Sequence, residues 1–69
     1  RLKQLRHLVG LSQRELAERS GISLRTIQQF EQRKKNINKA QIDTLLPLSM
    51  ALYCDVRDLL EPLDQAAAE

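Results

Sequence analysis

The stretch from Leu11 to Phe30 constrains this chain most, because it encodes two short helices with almost nothing between them. Ser12 and Glu15 form an S-x-x-E capping box, in which each side chain satisfies a backbone N–H that the first helical turn leaves unpaired. Leu11 and Leu16 are spaced for a hydrophobic staple across that cap, and Ile22 and Ile27 repeat the spacing around Ser23. The first of these helices ends at Ser20-Gly21 and the next begins at Ser23, so only a tight turn fits between them. Helices joined so closely must cross steeply, and Ala17 is small enough to allow close approach. The pattern predicts a helix-turn-helix.

The flanking sequence predicts three further helices and an all-α, compact five-helix bundle, with helices 2 and 3 forming the helix-turn-helix. Helix 1 covers residues 2–9, with Leu2, Leu5, Leu8 and Val9 on one face and Gly10 supplying the positive φ that ends it. Helix 3 runs to about Gln32, with Ile27 and Phe30 facing inward. A basic polar loop follows from Arg33 to Lys39, interrupted by Ile37, which is expected to dip into the core. Helix 4 covers about 40–52, with Ile42, Leu45, Leu46 and Leu52 as its buried stripe. Helix 5 runs about 56–61, capped by Asp55, with Asp58 in the first turn, Cys54 and Leu59 as a third staple, and Pro62 closing it. Pro47 lies inside helix 4, where it removes the N–H that would bond the Asp43 carbonyl, at a cost of about 3 kcal/mol. A kink or break near Leu46 is therefore expected. Residues 1–62 read as one helix-turn-helix domain and 63–69 as a frayed, Ala-rich tail.

Charge is unevenly distributed. Residues 1–39 hold ten basic and three acidic residues, a net of +7, whereas residues 40–69 hold one basic and six acidic, a net of −5. A basic half beside an acidic half suits a molecule that presents one end to a polyanion. Aromatics are only 3% of the chain, so the core must be aliphatic. Cys54 is the only cysteine; it cannot form an internal disulfide and reads as a small apolar residue in a reducing compartment. No apolar run approaches the roughly 20 residues of a membrane span, no signal-peptide pattern opens the chain, and a cytoplasmic location is expected. The chain opens on Arg1 rather than Met, as a piece of a longer protein would.

The run from Leu11 to Glu31, LSQRELAERSGISLRTIQQFE, resembles the helix-turn-helix of the lambda-repressor-like, or xenobiotic-response-element, family of the phage Cro/cI type. That family reads L-S-Q-x-E-L-A, then G-[IV]-S, then an apolar residue and Glu four apart. The resemblance extends to Leu5-Arg6, to Asn36 through Ala40, and through Thr44-Leu-Leu46 and Ala51-Leu52 to Leu60, covering residues 2–61. It implies a five-helix bundle whose third helix enters the DNA major groove. It also implies that Gln13 contacts a phosphate and braces that helix, and that Ser23 is a cap able to touch phosphate. Leu24, Arg25 and Gln29 match base-facing positions flanked by Thr26 and Gln28, and Arg6 and Glu31 match an ion pair between helices 1 and 3. Two residues depart from the family pattern. Tyr53 stands where Gly is usual after helix 4, and Pro47 replaces a helix-friendly residue.

The chemistry of the side chains agrees with this assignment. With Ile27 and Phe30 inward, helix 3 turns Leu24, Arg25, Gln28, Gln29 and Gln32 outward. Arg can donate twice to guanine O6 and N7, and Gln can pair with adenine N6 and N7; each good bidentate contact discriminates by about 1–3 kcal/mol. Leu24 is suited to a thymine methyl. Arg14, Lys34, Lys35, Asn36 and Lys39 are candidates for phosphate contacts, which add affinity and register but little sequence preference. His7 has no second His and no metal-ligand spacing exists. No serine has a His base arrangement, and Gly10 and Gly21 make no phosphate loop, so neither an enzyme nor a metal or cofactor is expected. The leading expectation is a transcriptional regulator, a repressor, bound as a homodimer to a pseudo-palindromic operator in double-stranded DNA. Leu48, Met50, Tyr53 and Leu63 look surplus to the core and suggest a seam on helices 4 and 5. An antitoxin with a toxin partner, a restriction-modification controller, and a protein-interaction module that has lost DNA binding are the alternatives.

Overall fold

The computed structural model describes residues 1–61; the expected closure at Pro62, the surplus Leu63 and the tail 63–69 lie outside the described residues. Five α-helices follow in order: α1 Leu2–Val9, α2 Gln13–Ser20, α3 Leu24–Glu31, α4 Ile42–Ala51 and α5 Val56–Leu59. A single 3-10 turn, Ile37–Lys39, lies in the basic loop, where the sequence suggested no helical turn. It is capped by Asn36, whose side chain accepts the Asn38 N–H at 2.9 Å. Among the described residues there is no strand.

Local chemistry sets the helix ends. At α2, the Ser12 hydroxyl accepts the Glu15 N–H at 3.0 Å and the Glu15 carboxylate accepts the Ser12 N–H at 2.8 Å. That reciprocal bond holds the exposed Glu15 carboxyl below its ordinary pKa, with Ser12 as the chief cause. At α5 the Asp58 carboxylate accepts the Asp55 N–H at 3.1 Å. Four helices end through a left-handed residue: Gly10, Gly21, Arg33 and Tyr53, with φ of 85, 76, 62 and 56°. After α3 the Arg33 N–H bonds the Phe30 carbonyl and the Lys34 N–H the Gln29 carbonyl. After α4 the Tyr53 N–H bonds the Met50 carbonyl and the Cys54 N–H the Ser49 carbonyl. Both are Schellman closures, which glycine adopts without steric cost and Arg or Tyr does not.

Every helix contributes to one aliphatic core of Leu2, Leu11, Leu16, Ile27, Ile37, Leu45, Leu48, Leu52 and Leu59. Both staple leucines of α2 belong to it, and each such side chain contributes about 1.5–3 kcal/mol by leaving water. α2 packs against α3 and α4, α4 against α5, and α1 against α3. Ile37 is buried, as its apolar side chain in a polar loop suggested.

Several expectations need correction. Leu8 is 82% exposed, because Leu2, Leu5, Arg6 and Val9 already fill the inward face of α1. In α4, Ile42 and Leu46 lie outside the core, at 61% and 48% exposed, while Leu48 is fully buried rather than surplus. The inward face of this helix is Leu45, Leu48, Ser49 and Leu52, a register shifted from the expected stripe. α4 starts at Ile42 and α5 stops at Leu59, shorter than expected. The break near Leu46 does not occur: α4 is continuous through Pro47. Asp43, whose carbonyl loses its partner to Pro47, is exposed, so water can serve that carbonyl. The buried Ser49 hydroxyl donates to the Leu46 carbonyl at 2.7 Å in the same stretch.

Candidate nucleic-acid interface

The turn between α2 and α3 fixes how α3 is presented. Gly21 donates its N–H to the Ala17 carbonyl at 2.9 Å in the left-handed conformation. Ser20 shapes the same turn from both sides: its hydroxyl donates to the Leu16 carbonyl at 2.7 Å and accepts the Ile22 N–H at 3.1 Å. Ser23 then caps α3 by accepting the Thr26 N–H at 3.1 Å, and its own hydroxyl donates to Thr26 Oγ1 at 2.8 Å. With Ile27 fully buried and Phe30 packed against the core, α3 lies against the bundle and keeps its far side open. Arg25 is exposed, and Leu24, Thr26, Gln28 and Gln29 are partly so. Arg25, Gln28, Gln29 and the exposed Gln32 share one helical face by their spacing.

The other end of α3 is anchored by charge. The Arg6 guanidinium on α1 grips the Glu31 carboxylate with two bonds, Nε to Oε2 at 2.8 Å and Nη2 to Oε1 at 3.0 Å. Its Nη1 donates to the Leu11 carbonyl at 2.9 Å, at the start of the chain leading into α2. Gln13 Nε2 on α2 donates to Glu31 Oε1 at 2.9 Å. Three helices thus meet at one carboxylate, whose side chain is 4% exposed against 9% for that of Arg6. Burial pushes the Glu31 carboxyl up, but the hydrogen bonds from Arg6 and Gln13 and the Arg6 charge outweigh it, and the net direction is down. Gln13 is therefore the bracing residue of the constellation, with Arg14 exposed beside it on the first turn of α2.

Lys34, Lys35 and Asn36 are exposed on the loop after α3, and Lys39 on the 3-10 turn. Beside α3 this loop borders a shallow open groove of about 400 Å³, lined among others by Thr26, Lys35, Asn36, Lys39, Gln41 and Thr44. Gln41 and Thr44 were not singled out from the sequence; neither type nor periodicity distinguishes them from ordinary solvated residues. Asn38 was also missed, and no sequence signal marks it, because its partner lies 23 residues away at Glu61. Cys54 is partly buried; burial pushes its thiol up, with the Asp58 and Asp55 charges adding to the shift. That environment disfavours the thiolate that a nucleophilic cysteine needs. Among the described residues no cluster of His, Cys, Asp or Glu is arranged to hold a metal ion, and no helix is long and apolar enough to cross a membrane.

An all-helical bundle that ends a steep two-helix turn in an open Arg/Gln face, beside a lysine loop, defines the class of DNA-binding helix-turn-helix proteins. A family model described as "Helix-turn-helix" matches residues 2–57, nearly the whole described chain. The chain belongs to that family, the Cro/cI-type helix-turn-helix proteins of the xenobiotic-response-element group. Membership makes it a DNA-binding regulator, and the matched domain is regulatory rather than catalytic. No curated protein and no solved structure matches the chain.

Proposed function

We propose that this regulator is a cytoplasmic transcriptional repressor that binds a pseudo-palindromic operator as a homodimer, reading the major groove with α3. The observation that carries the reading is the contrast between the two sides of α3. One side is locked by the Ser23 cap, the buried Ile27 and the Arg6–Glu31–Gln13 junction; the other holds Arg25, Gln28 and Gln29 toward solvent. A rigid element carrying unspent bidentate donors is what direct readout requires. In this reading Leu24 meets a thymine methyl and Thr26 flanks the base contacts. Arg14, Ser23, Lys34, Lys35, Asn36 and Lys39 take phosphates, and Gln13 adds a phosphate contact to its bracing bond.

The homodimer has a separate support. Ile42, Leu46, Met50 and Tyr53 recur at helical spacing along and just past α4, at 61, 48, 69 and 79% exposed. With Leu48 buried and Leu63 outside the described residues, this stripe is the candidate seam. One such small domain makes too few base contacts to select a site in a genome, and pairing doubles them. Selection from a randomised duplex pool tests the reading: it predicts an inverted repeat with half-sites about 10 base pairs apart. Enrichment of a single asymmetric site would remove the dimer, and no enrichment would remove the repressor.

A further inference from the structure

We infer that Asn38 is a positioning residue for DNA binding, because its amide clamps the chain after α5 to the basic loop and so fixes the lysines of that loop. The inference rests on the proposed role of the loop in holding phosphates.

The clamp is reciprocal. Asn38 Nδ2 donates to the Glu61 carbonyl at 3.0 Å, and Asn38 Oδ1 accepts the Glu61 N–H at 2.8 Å. A side-chain amide is suited to this task, since it presents a donor and an acceptor side by side as a neighbouring backbone would. Two parallel bonds fix orientation as well as distance, so they set the rotation of the 3-10 turn about its own axis. Glu61 also reaches the start of the loop, where its Oε1 lies 3.9 Å from Arg33 Nη2. Glu61 thereby meets the loop on either side of Lys34 and Lys35, at Arg33 and at Asn38, with Lys39 next to the clamp.

Other bonds hold the loop locally: the Lys34 and Lys35 N–H groups both bond the Gln29 carbonyl, and Asn36 caps the 3-10 turn, but neither ties that turn to the chain after α5. The loop's entry is closed by the turn at Arg33, and Ile37 plugs the core, yet an aliphatic plug leaves the turn free to swivel. Released from Glu61, the lysines would have to be ordered at each encounter with DNA, which lowers affinity without altering which bases α3 reads. By linkage, a change in the segment that follows α5 is then felt at the DNA surface, and DNA binding is felt there in turn.

The test measures duplex affinity over a salt series for the wild type and for Asn38→Ala, at a temperature where circular dichroism shows both folded. The expected result is an affinity loss of about tenfold, equal for selected and random duplex. The salt slope should be shallower by about one, because a phosphate contact is lost. Combining Asn38→Ala with Lys34→Ala and Lys35→Ala should then cost little more than the lysine changes alone, since Asn38 acts through them. If Asn38→Ala does not fold, Asn38→Gln keeps both amide groups one methylene out of place and is expected to lose affinity in the same uniform way. Unchanged affinity and slope in a folded variant would overturn the inference while leaving the phosphate role of the loop intact, and so would fully additive losses. A wild type whose own slope is unaffected by the lysine changes would overturn both.

Discussion

Arg6 and Glu31 lie 25 residues apart and bury a charge pair where a small domain can least tolerate an orphan. Glu31→Ala leaves the Arg6 guanidinium with the Leu11 carbonyl and no counter-charge, and should destabilise by about 3–5 kcal/mol. At about 4–8 °C per kcal/mol for a chain of this size, thermal melting would detect it, and an unchanged melting temperature would show the pair to be inert. The same carboxylate sets a pH dependence. Its folded pKa is depressed below the unfolded value, so its contribution is fully present above the unfolded pKa and is lost as pH falls through the folded one. Wild type should therefore lose stability through the acid range more steeply than Glu31→Gln, which has no proton to gain at that site. Tyr53 tells the opposite story. At φ 56° it stores left-handed strain where glycine would have none, so Tyr53→Gly should raise stability by about 1 kcal/mol in dilute thermal melts. A loss would mean that the tyrosine ring makes up more than its backbone costs.

At the scale of elements, α2 and α3 were legible because their signals are local. A capping box, a staple and a left-handed glycine each act within about five residues, and the sequence displays all three in order. α4 was not legible in the same way. Ile42, Leu45, Leu46, Leu48, Met50, Ala51 and Leu52 put apolar side chains on every side, so periodicity could not choose the inward face. Tertiary packing chose it, and left Ile42 and Leu46 outside. Pro47 does not interrupt the helix for a related reason: its penalty depends on where the lost carbonyl bond points, and Asp43 is exposed. The candidate site divides along the same line. The α3 face follows from helical spacing, and the ion pair at Arg6 and Glu31 was suggested only by family resemblance. The Asn38–Glu61 clamp joins residues that no local rule relates. For the basic loop as an element, replacing Lys34 and Lys35 with Ala should flatten the salt slope of DNA binding by about two and keep the preferred sequence. An unchanged slope would take both lysines off the phosphates.

Across the whole molecule, the basic first half and the acidic second half become a spatial division of labour. On the proposed function, the helix and loop that would meet DNA come from residues 1–39, and α4 and α5, with the exposed apolar stripe, from the remainder. Placing a charge in that stripe separates the two tasks. Met50→Lys should shift sedimentation toward the monomer and weaken binding to a two-half-site duplex, with the affinity for a single half-site unchanged. A variant that still sediments as the wild type would move the seam elsewhere.

The reading of bases by α3 is tested most directly by comparing the sites selected by the wild type and by Arg25→Ala from the same randomised duplex pool at near-physiological salt. The prediction is that preference relaxes at one position in each half-site, a guanine contact worth about 1–3 kcal/mol, while the remaining positions and the salt slope for other phosphates persist. Identical consensus sequences from the two proteins would contradict it, because a helix that reads bases cannot lose its one exposed arginine without losing a letter of the site.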